Sequence, residues 1–287
     1  MVKETEGWFV LSDGLELYEK TWEPSTVPRA HVVLLHGWND RADLYSSWCS
    51  TLVSSFPLRV TAYDRRGWGK SVHSPSERGL AGPNTTILSD LNEYLWHITS
   101  TIPDAQATPL FVIAHSMGGQ EVLYYLLSTA YEGKRPPISG LVLNAPYIAM
   151  ATRPNALEVA IGKLAGYFFP MYHYKPEQDP SCISRDETVC QAWKEDELCH
   201  GYGTLEALRD TLVREAELTQ LADPQKPVLS TLSAKLLCAV FWTHGTADKA
   251  VSFSVSRQLF ERLEPHGGRL ETKTFKAYEG WYVATRS

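Results

Sequence analysis

Residues 111–126 read FVIAHSMGGQEVLYYL. The first five residues form a nearly unbroken apolar run, as a strand covered on both faces requires. From Gly118 onward the pattern is that of a strongly apolar helix. Between them stand Ala114, His115, Ser116, Met117 and Gly118. Small residues two before and two after a serine permit a tight, strained strand-to-helix turn that lifts the hydroxyl above the sheet edge. Ala114 stands where glycine is more usual, and a methyl is the smallest possible departure. The helix that follows begins with unpaired N–H groups and a positive dipole end, suited to a developing oxyanion. Ser116 is therefore the candidate nucleophile, and the N–H of Met117 a candidate oxyanion donor.

The sequence on either side repeats one unit. HVVLL (31–35) and RVTAYD (59–64) are further buried-strand patterns, and so is ISGLVLNAP (138–146). Ile87, Leu91, Tyr94, Leu95 and Ile98 recur at helical spacing, and residues 45–55 read as another helix. WFVLS and LELYEKTWE flank Ser12-Asp13-Gly14 and predict an opening hairpin. Such β-α alternation predicts an α/β fold with a mostly parallel central sheet flanked by helices. It stops at about residue 147 and resumes near 233 with KLLCAVFWTHG, a helix near Phe253–Leu263 and the strand RLETKTFKAY. The expected organisation is a core over 1–146, an inserted helical cap or lid over 147–232, and the rest of the core over 233–287.

Two further stretches belong to the elbow's chemistry. In LLHGW (34–38) the turn at Gly37 ends a strand, so the N–H of Trp38 is the second candidate oxyanion donor. In FWTHGTADKAV (241–251) Asp248 lies just past a late strand, where an acid can orient an imidazolium. A bland reading competes: Asp248 as the cap of the helix that begins near Ser252.

Together LLHGW, YDRRGWGKSV, HSMGG, HGTADKAVSF and KAYEGWY resemble the monoacylglycerol lipase group of α/β-hydrolases, most nearly its fungal-type members. The resemblance runs through nearly the whole chain and is weakest in the cap. It implies a serine hydrolase that releases fatty acid from monoacylglycerols or related lipid esters, with no cofactor and no metal. Carried over by motif, Ser116 is the nucleophile, Asp248 the triad acid, and Trp38 and Met117 the oxyanion donors. The phosphate-loop look of GWGKS (67–71) is a decoy, because Asp64 stands where that loop needs its first glycine.

One member of the triad is missing. The family continues YEGWY with histidine, whereas here position 283 is Val, followed by ATRS. The resemblance thus implies a chain truncated before its catalytic His and its last helix, with VATRS a divergent or misassigned tail. Of the nine histidines, only His266 follows Asp248. It precedes the last strand, at the sheet end opposite the site, about 20 Å from Ser116 for a six-residue strand. His115 should point away from its neighbour. His36 and His244 end strands near the site, and each is expected to brace its own turn. A chain without its base would be impaired, and the competing reading is a non-catalytic hydrolase-fold protein that binds an acyl ligand or a partner. Epoxide or haloalkane hydrolysis needs a carboxylate where Ser116 stands.

Composition narrows the partners. A net charge of −6 offers no basic stripe for nucleic acid. No segment reaches the roughly 18 apolar residues that span a bilayer, and residues 1–10 lack a signal-peptide pattern. A cytoplasmic protein is expected, with membranes or lipid droplets as candidate peripheral contacts. YFFPMYHY (167–174), beside ALEVAIGKLAG, reads either as a lipid-facing entrance or, more economically, as cap core. Cys49, Cys182, Cys190, Cys199 and Cys238 show no metal or disulfide spacing.

Overall fold

The computed structural model describes residues 2–104, 108–152, 155–182, 184, 186–268 and 272–280. Val283 and the rest of the VATRS tail, on which the expectation of a missing base falls, lie outside the described residues.

The chain opens with β1 (Lys3–Val10) and β2 (Glu16–Glu23), an antiparallel hairpin turned at Gly14, whose φ of +89° suits glycine. Then follow β3 (Ala30–Leu35), α1 (Ser46–Ser55), β4 (Leu58–Tyr63), α2 (Asn84–Thr101), β5 (Leu110–His115), α3 (Ser116–Leu127) and β6 (Gly140–Asn144). After β6 come α4 (Ala156–Phe168), β7 (His173–Tyr174), α5 (Glu187–Glu195), β8 (Gly203–Thr204) and α6 (Leu205–Ala222). The last described elements are β9 (Ala239–Gly245), α7 (Phe253–Arg262) and β10 (Lys273–Tyr278). Eight strands make one sheet in the order β1-β2-β4-β3-β5-β6-β9-β10, parallel from β4 to β10.

Strand periodicity divides the apolar runs between two layers. Val33 and Leu35 of β3 join the core under α2, α3 and α7, whereas Val32 and Leu34 pack with Tyr45, Cys49 and Val53 on the α1 side. That alternation explains why HVVLL is apolar at every position. On the α1 side no helix covers the β9 end of the sheet among the described residues, and Phe241 remains 37% exposed. Burial raises the thiol pKa of Cys49 and Cys238 to about 12, so both are inert core residues.

The segment between β6 and β9 is anchored in the core near both of its ends. Ile148 and Ala149 belong to the main apolar cluster, and so do Leu218, Leu221 and Ala222 of α6. Most of YFFPMYHY is exposed, and of its aromatic side chains Tyr174 is half-buried beside the Trp38 ring. Phe168, Phe169, Met171 and Tyr172 are all exposed, as are Leu157, Ile161 and Leu164 of α4. The reason lies on the other side of α4. Gly166 meets α6 so closely that a Cβ there would sit 2.5 Å from the Leu205 carbonyl oxygen. The small side of α4 is its packing side, and its large side faces outward.

Candidate active site

The strand-to-helix turn carries its strain at Ser116, which has φ +51°, a left-handed conformation uncommon for a residue with a side chain. α3 begins at Ser116 itself, two residues earlier than the helical pattern suggests. The glycines permit close approach. A Cβ at Gly118 would lie 2.5 Å from the His36 carbonyl oxygen, and one at Gly119 2.8 Å from the Pro146 side chain. Met117 is the first residue after the elbow, so its amide is one of the unpaired donors at the head of α3.

The β3 loop crosses directly over this serine. A Cβ on Gly37 would be 3.1 Å from Ser116 Cβ and 3.6 Å from its Oγ. The peptide that ends in the Trp38 N–H therefore starts in contact with the candidate nucleophile. His36 braces this loop: its Nε2 accepts from the Arg65 N–H at 3.1 Å, and its Nδ1 lies 2.9 Å from the Gly37 carbonyl. The Trp38 ring meets Trp68 edge-on with centroids 4.6 Å apart, and its far edge lies against Gly203, where a Cβ would fall 2.4 Å away. The next residue, Asn39, also has positive φ, and its side chain accepts from the Gly201 N–H at 2.6 Å. Trp193 donates to the Asn39 carbonyl at 2.9 Å. No motif marked Asn39 as a clasp between the loop and the inserted segment.

Asp248 lies in the loop after β9, at the same edge of the sheet as Ser116. Its Oδ1 accepts from the Ala250 and Val251 amides at 2.8 and 2.9 Å. Ser252, not Asp248, caps α7 by accepting from the Val255 N–H. The second oxygen, Oδ2, is 3.2 Å from His244 Nε2, and both side chains are completely buried. Neither atom of that pair has an aligned hydrogen bond among the described residues. His244 thus turns toward Asp248 and does not brace its own turn. The other histidines are engaged elsewhere or remote: the ring of His115 reaches the Asn144 carbonyl, His200 reaches that of Gly67, and His266 sits ahead of β10. Residues 67–71 form a turn clamped by Asp64, whose two oxygens accept from the Ala42 and Lys70 amides at 2.6 and 2.7 Å. Among the described residues, no three His, Cys, Asp or Glu side chains gather as a metal site.

Residues 26–282 match the family of hydrolases described as serine aminopeptidase, S33. The chain belongs to this family. Its fold is that of the α/β-hydrolases, and its relatives include proteins named as monoglyceride lipases. It is similar to a putative monoglyceride lipase of Schizosaccharomyces pombe (27% identity over 271 residues; 93% of this chain, 65% of that protein). It is also similar to a monoacylglycerol lipase of Mycolicibacterium smegmatis (29% over 273 residues; 94% and 86%). The chain spans just under two thirds of the S. pombe protein and 26% of an abhydrolase domain-containing relative from Dictyostelium discoideum. A soluble variant of monoglyceride lipase from Saccharomyces cerevisiae, solved with a substrate analog, shares the fold at a TM-score of 0.81. Their identity is 21%, and the match covers 96% of this chain and 86% of that one.

Proposed function

We propose that the chain is a serine ester hydrolase that releases fatty acid from monoacylglycerols or related lipid esters. The observation that carries this reading is the strained Ser116 elbow with Gly37 packed against its Cβ. In this mechanism Ser116 Oγ attacks the ester carbonyl, and the N–H groups of Trp38 and Met117 receive the oxyanion. The Ser116 Oγ proton passes to the leaving alcohol as the ester C–O bond breaks, and water then hydrolyses the acyl-serine to free acid and restores the hydroxyl. Asp248 is the triad acid, and its Oδ2 is the oxygen at which an imidazole would dock. The family motif has histidine at position 283, where this sequence has Val283, so turnover by this chain is expected to be strongly impaired. His244 is the imidazole beside Asp248 among the described residues, and β9 stands two strands, about 10 Å, from β5.

The relatives' names and the exposed apolar side of α4 both support a lipid ester as substrate. Leu157, Ile161, Leu164, Tyr167 and Phe168 share that side, so we place α4 on a membrane or lipid-droplet surface. No described helix is long and apolar enough to cross a bilayer. A cytoplasmic protein that docks peripherally fits these features.

The burial of His244 and Asp248 3.2 Å apart favours one alternative: a non-catalytic hydrolase-fold protein that holds an acyl ligand or a partner. Labelling with a fluorophosphonate, followed by assay on 1-monooleoylglycerol, separates the two. The enzyme reading, with Val283 in place of the triad histidine, expects slow labelling of Ser116 and weak release of fatty acid, both lost in Ser116→Ala. A wild-type chain that binds oleate and resists the probe would establish the alternative.

A further inference from the structure

The oxyanion loop is held from behind by a buried charge network. Arg65, in the turn after β4, donates from Nη2 to the Gly37 carbonyl at 2.7 Å and from Nη1 to Glu121 Oε2 at 2.6 Å. Glu121 stands on α3, five residues after Ser116, and its other oxygen is 3.8 Å from Arg214 Nη2 on α6. Arg214 is completely buried and also donates to Gln120 and Asn84. Arg65 and Glu121 are buried as well. No sequence motif marks these three residues as a unit.

We infer that Arg65 is a positioning residue that aims the Trp38 N–H at the oxyanion, with Glu121 as its anchor and Arg214 tying the pair to the inserted segment. This inference rests on the hydrolase reading above. In a trans peptide the carbonyl and the following N–H point in opposite directions. Arg65 and His36 both hold the Gly37 oxygen on one side of the loop. The Trp38 N–H of that same peptide is therefore turned to the other side. Gly37 already touches Ser116, so fixing the carbonyl fixes where the donor aims.

Arg65 also acts on the strength of that donor. A guanidinium bonded to the carbonyl polarises the peptide, and the N–H at its other end becomes a better hydrogen-bond donor. Glu121 joins this arrangement to the nucleophile, since it rides on the helix that begins at Ser116. Oxyanion donor and nucleophile thus share one anchor, and α6 has a lever on both through Arg214.

The test compares Arg65→Lys with wild type. Lysine keeps a positive charge for Glu121 but lacks the fork that reaches Glu121 and Gly37 together. The rate of fluorophosphonate labelling at Ser116 should fall about 10- to 100-fold, part of the effect of losing an oxyanion donor outright. The melting temperature should stay within a few degrees of wild type. Amide hydrogen exchange of the peptide covering residues 35–42 should quicken in the same variant. Arg65→Met, which also breaks the ion pair, should lose both labelling rate and melting temperature. Labelling and exchange both unchanged in Arg65→Lys would overturn the inference. Should wild-type Ser116 not react at all, the hydrolase reading fails. The exchange measurement then decides alone: protection of residues 35–42 that is unchanged in Arg65→Lys overturns the positioning role, and faster exchange supports it.

Discussion

Asp248 divides its carboxylate between two duties: Oδ1 accepts from the Ala250 and Val251 amides, and Oδ2 faces His244 Nε2 at 3.2 Å. One oxygen holds the loop and the other faces an imidazole without an aligned hydrogen bond among the described residues. Asn and Ala replacements should therefore separate the two roles. Asp248→Asn retains an oxygen for the two amides and puts an NH2 group toward the imidazole, so the fold should stay intact while any Ser116 reactivity that depends on an imidazole at Oδ2 is lost. Asp248→Ala strands both backbone N–H groups and should cost about 2 kcal/mol of stability as well. Chemical denaturation of the two variants beside probe labelling measures both effects. Equal stability in the two would show that the Oδ1 bonds do not hold the loop.

The glycines around Ser116 differ in how much a methyl would cost. At Gly118 a Cβ would meet backbone, the His36 carbonyl oxygen, at 2.5 Å, and neither strand nor helix can yield. Gly118→Ala should lose about 3 kcal/mol or fail to fold. At Gly37 the nearest atom is Ser116 Cβ at 3.1 Å, a clash relieved by a shift of a few tenths of an ångström. Gly37→Ala should fold with a melting temperature close to wild type, yet react with fluorophosphonate at least about 10-fold more slowly, because the loop is pushed off the nucleophile. A Gly37→Ala chain that reacts at the full rate would separate this loop from the oxyanion.

His200 fastens the inserted segment to the turn after β4. Its Nε2 lies 3.0 Å from the Gly67 carbonyl, its Nδ1 accepts from the Tyr202 N–H, and its ring stacks on Trp68. Burial pulls its pKa down to about 4. The unfolded chain takes up this proton near pH 6.5, and the folded chain only near 4. The contribution of neutral His200 is therefore complete above about pH 6.5 and is lost as pH falls toward 4. Asp64 works in the opposite sense, since burial raises its pKa to about 7 and the folded state binds that proton first. Total stability against pH mixes the two. The difference between wild type and His200→Gln isolates the histidine, because glutamine keeps an N–H for Gly67 without titrating. The wild-type advantage should shrink by on the order of 2 kcal/mol between pH 6.5 and 4. A constant difference across that range would remove His200 from the acid response.

The architecture was legible because strand and helix periods are local. HVVLL, RVTAY and LFVIAH each read as strands with both faces buried, and each is one. The elbow was legible because strain at one residue demands small neighbours close in sequence. The Arg65–Glu121–Arg214 network and the Asn39 clasp were not, since their partners stand 56 and more than 150 positions away and no spacing rule links them. His244 was expected at a turn because it ends a strand. Its contact with Asp248 depends on how the following loop folds back, which periodicity does not encode. The inserted segment misled for a different reason. Helical spacing tells which residues of α4 share a side, but not which side is covered.

That last point makes α4 testable. Val159, Gly162, Lys163 and Gly166 turn inward, and Gly166 lets the helix touch α6, where Arg209 donates to its carbonyl at 3.2 Å. The larger side chains are left to the outside, with Leu157 69% and Phe168 71% exposed. A helix that leaves this many large apolar groups exposed gains nothing from them in water. At a lipid surface each buried side chain contributes roughly 1.5–3 kcal/mol. Replacing Leu157, Ile161 and Leu164 together with serine should therefore weaken binding to phosphatidylcholine vesicles at least about 100-fold. Turnover of vesicle-borne 1-monooleoylglycerol should fall with it, while reactivity toward a short water-soluble ester stays as in wild type. Folding should be unaffected, because none of the three residues belongs to the core clusters. If vesicle binding survives the triple change, the outer side of α4 is not the lipid contact. If the soluble ester is also turned over more slowly, these side chains serve the active site itself.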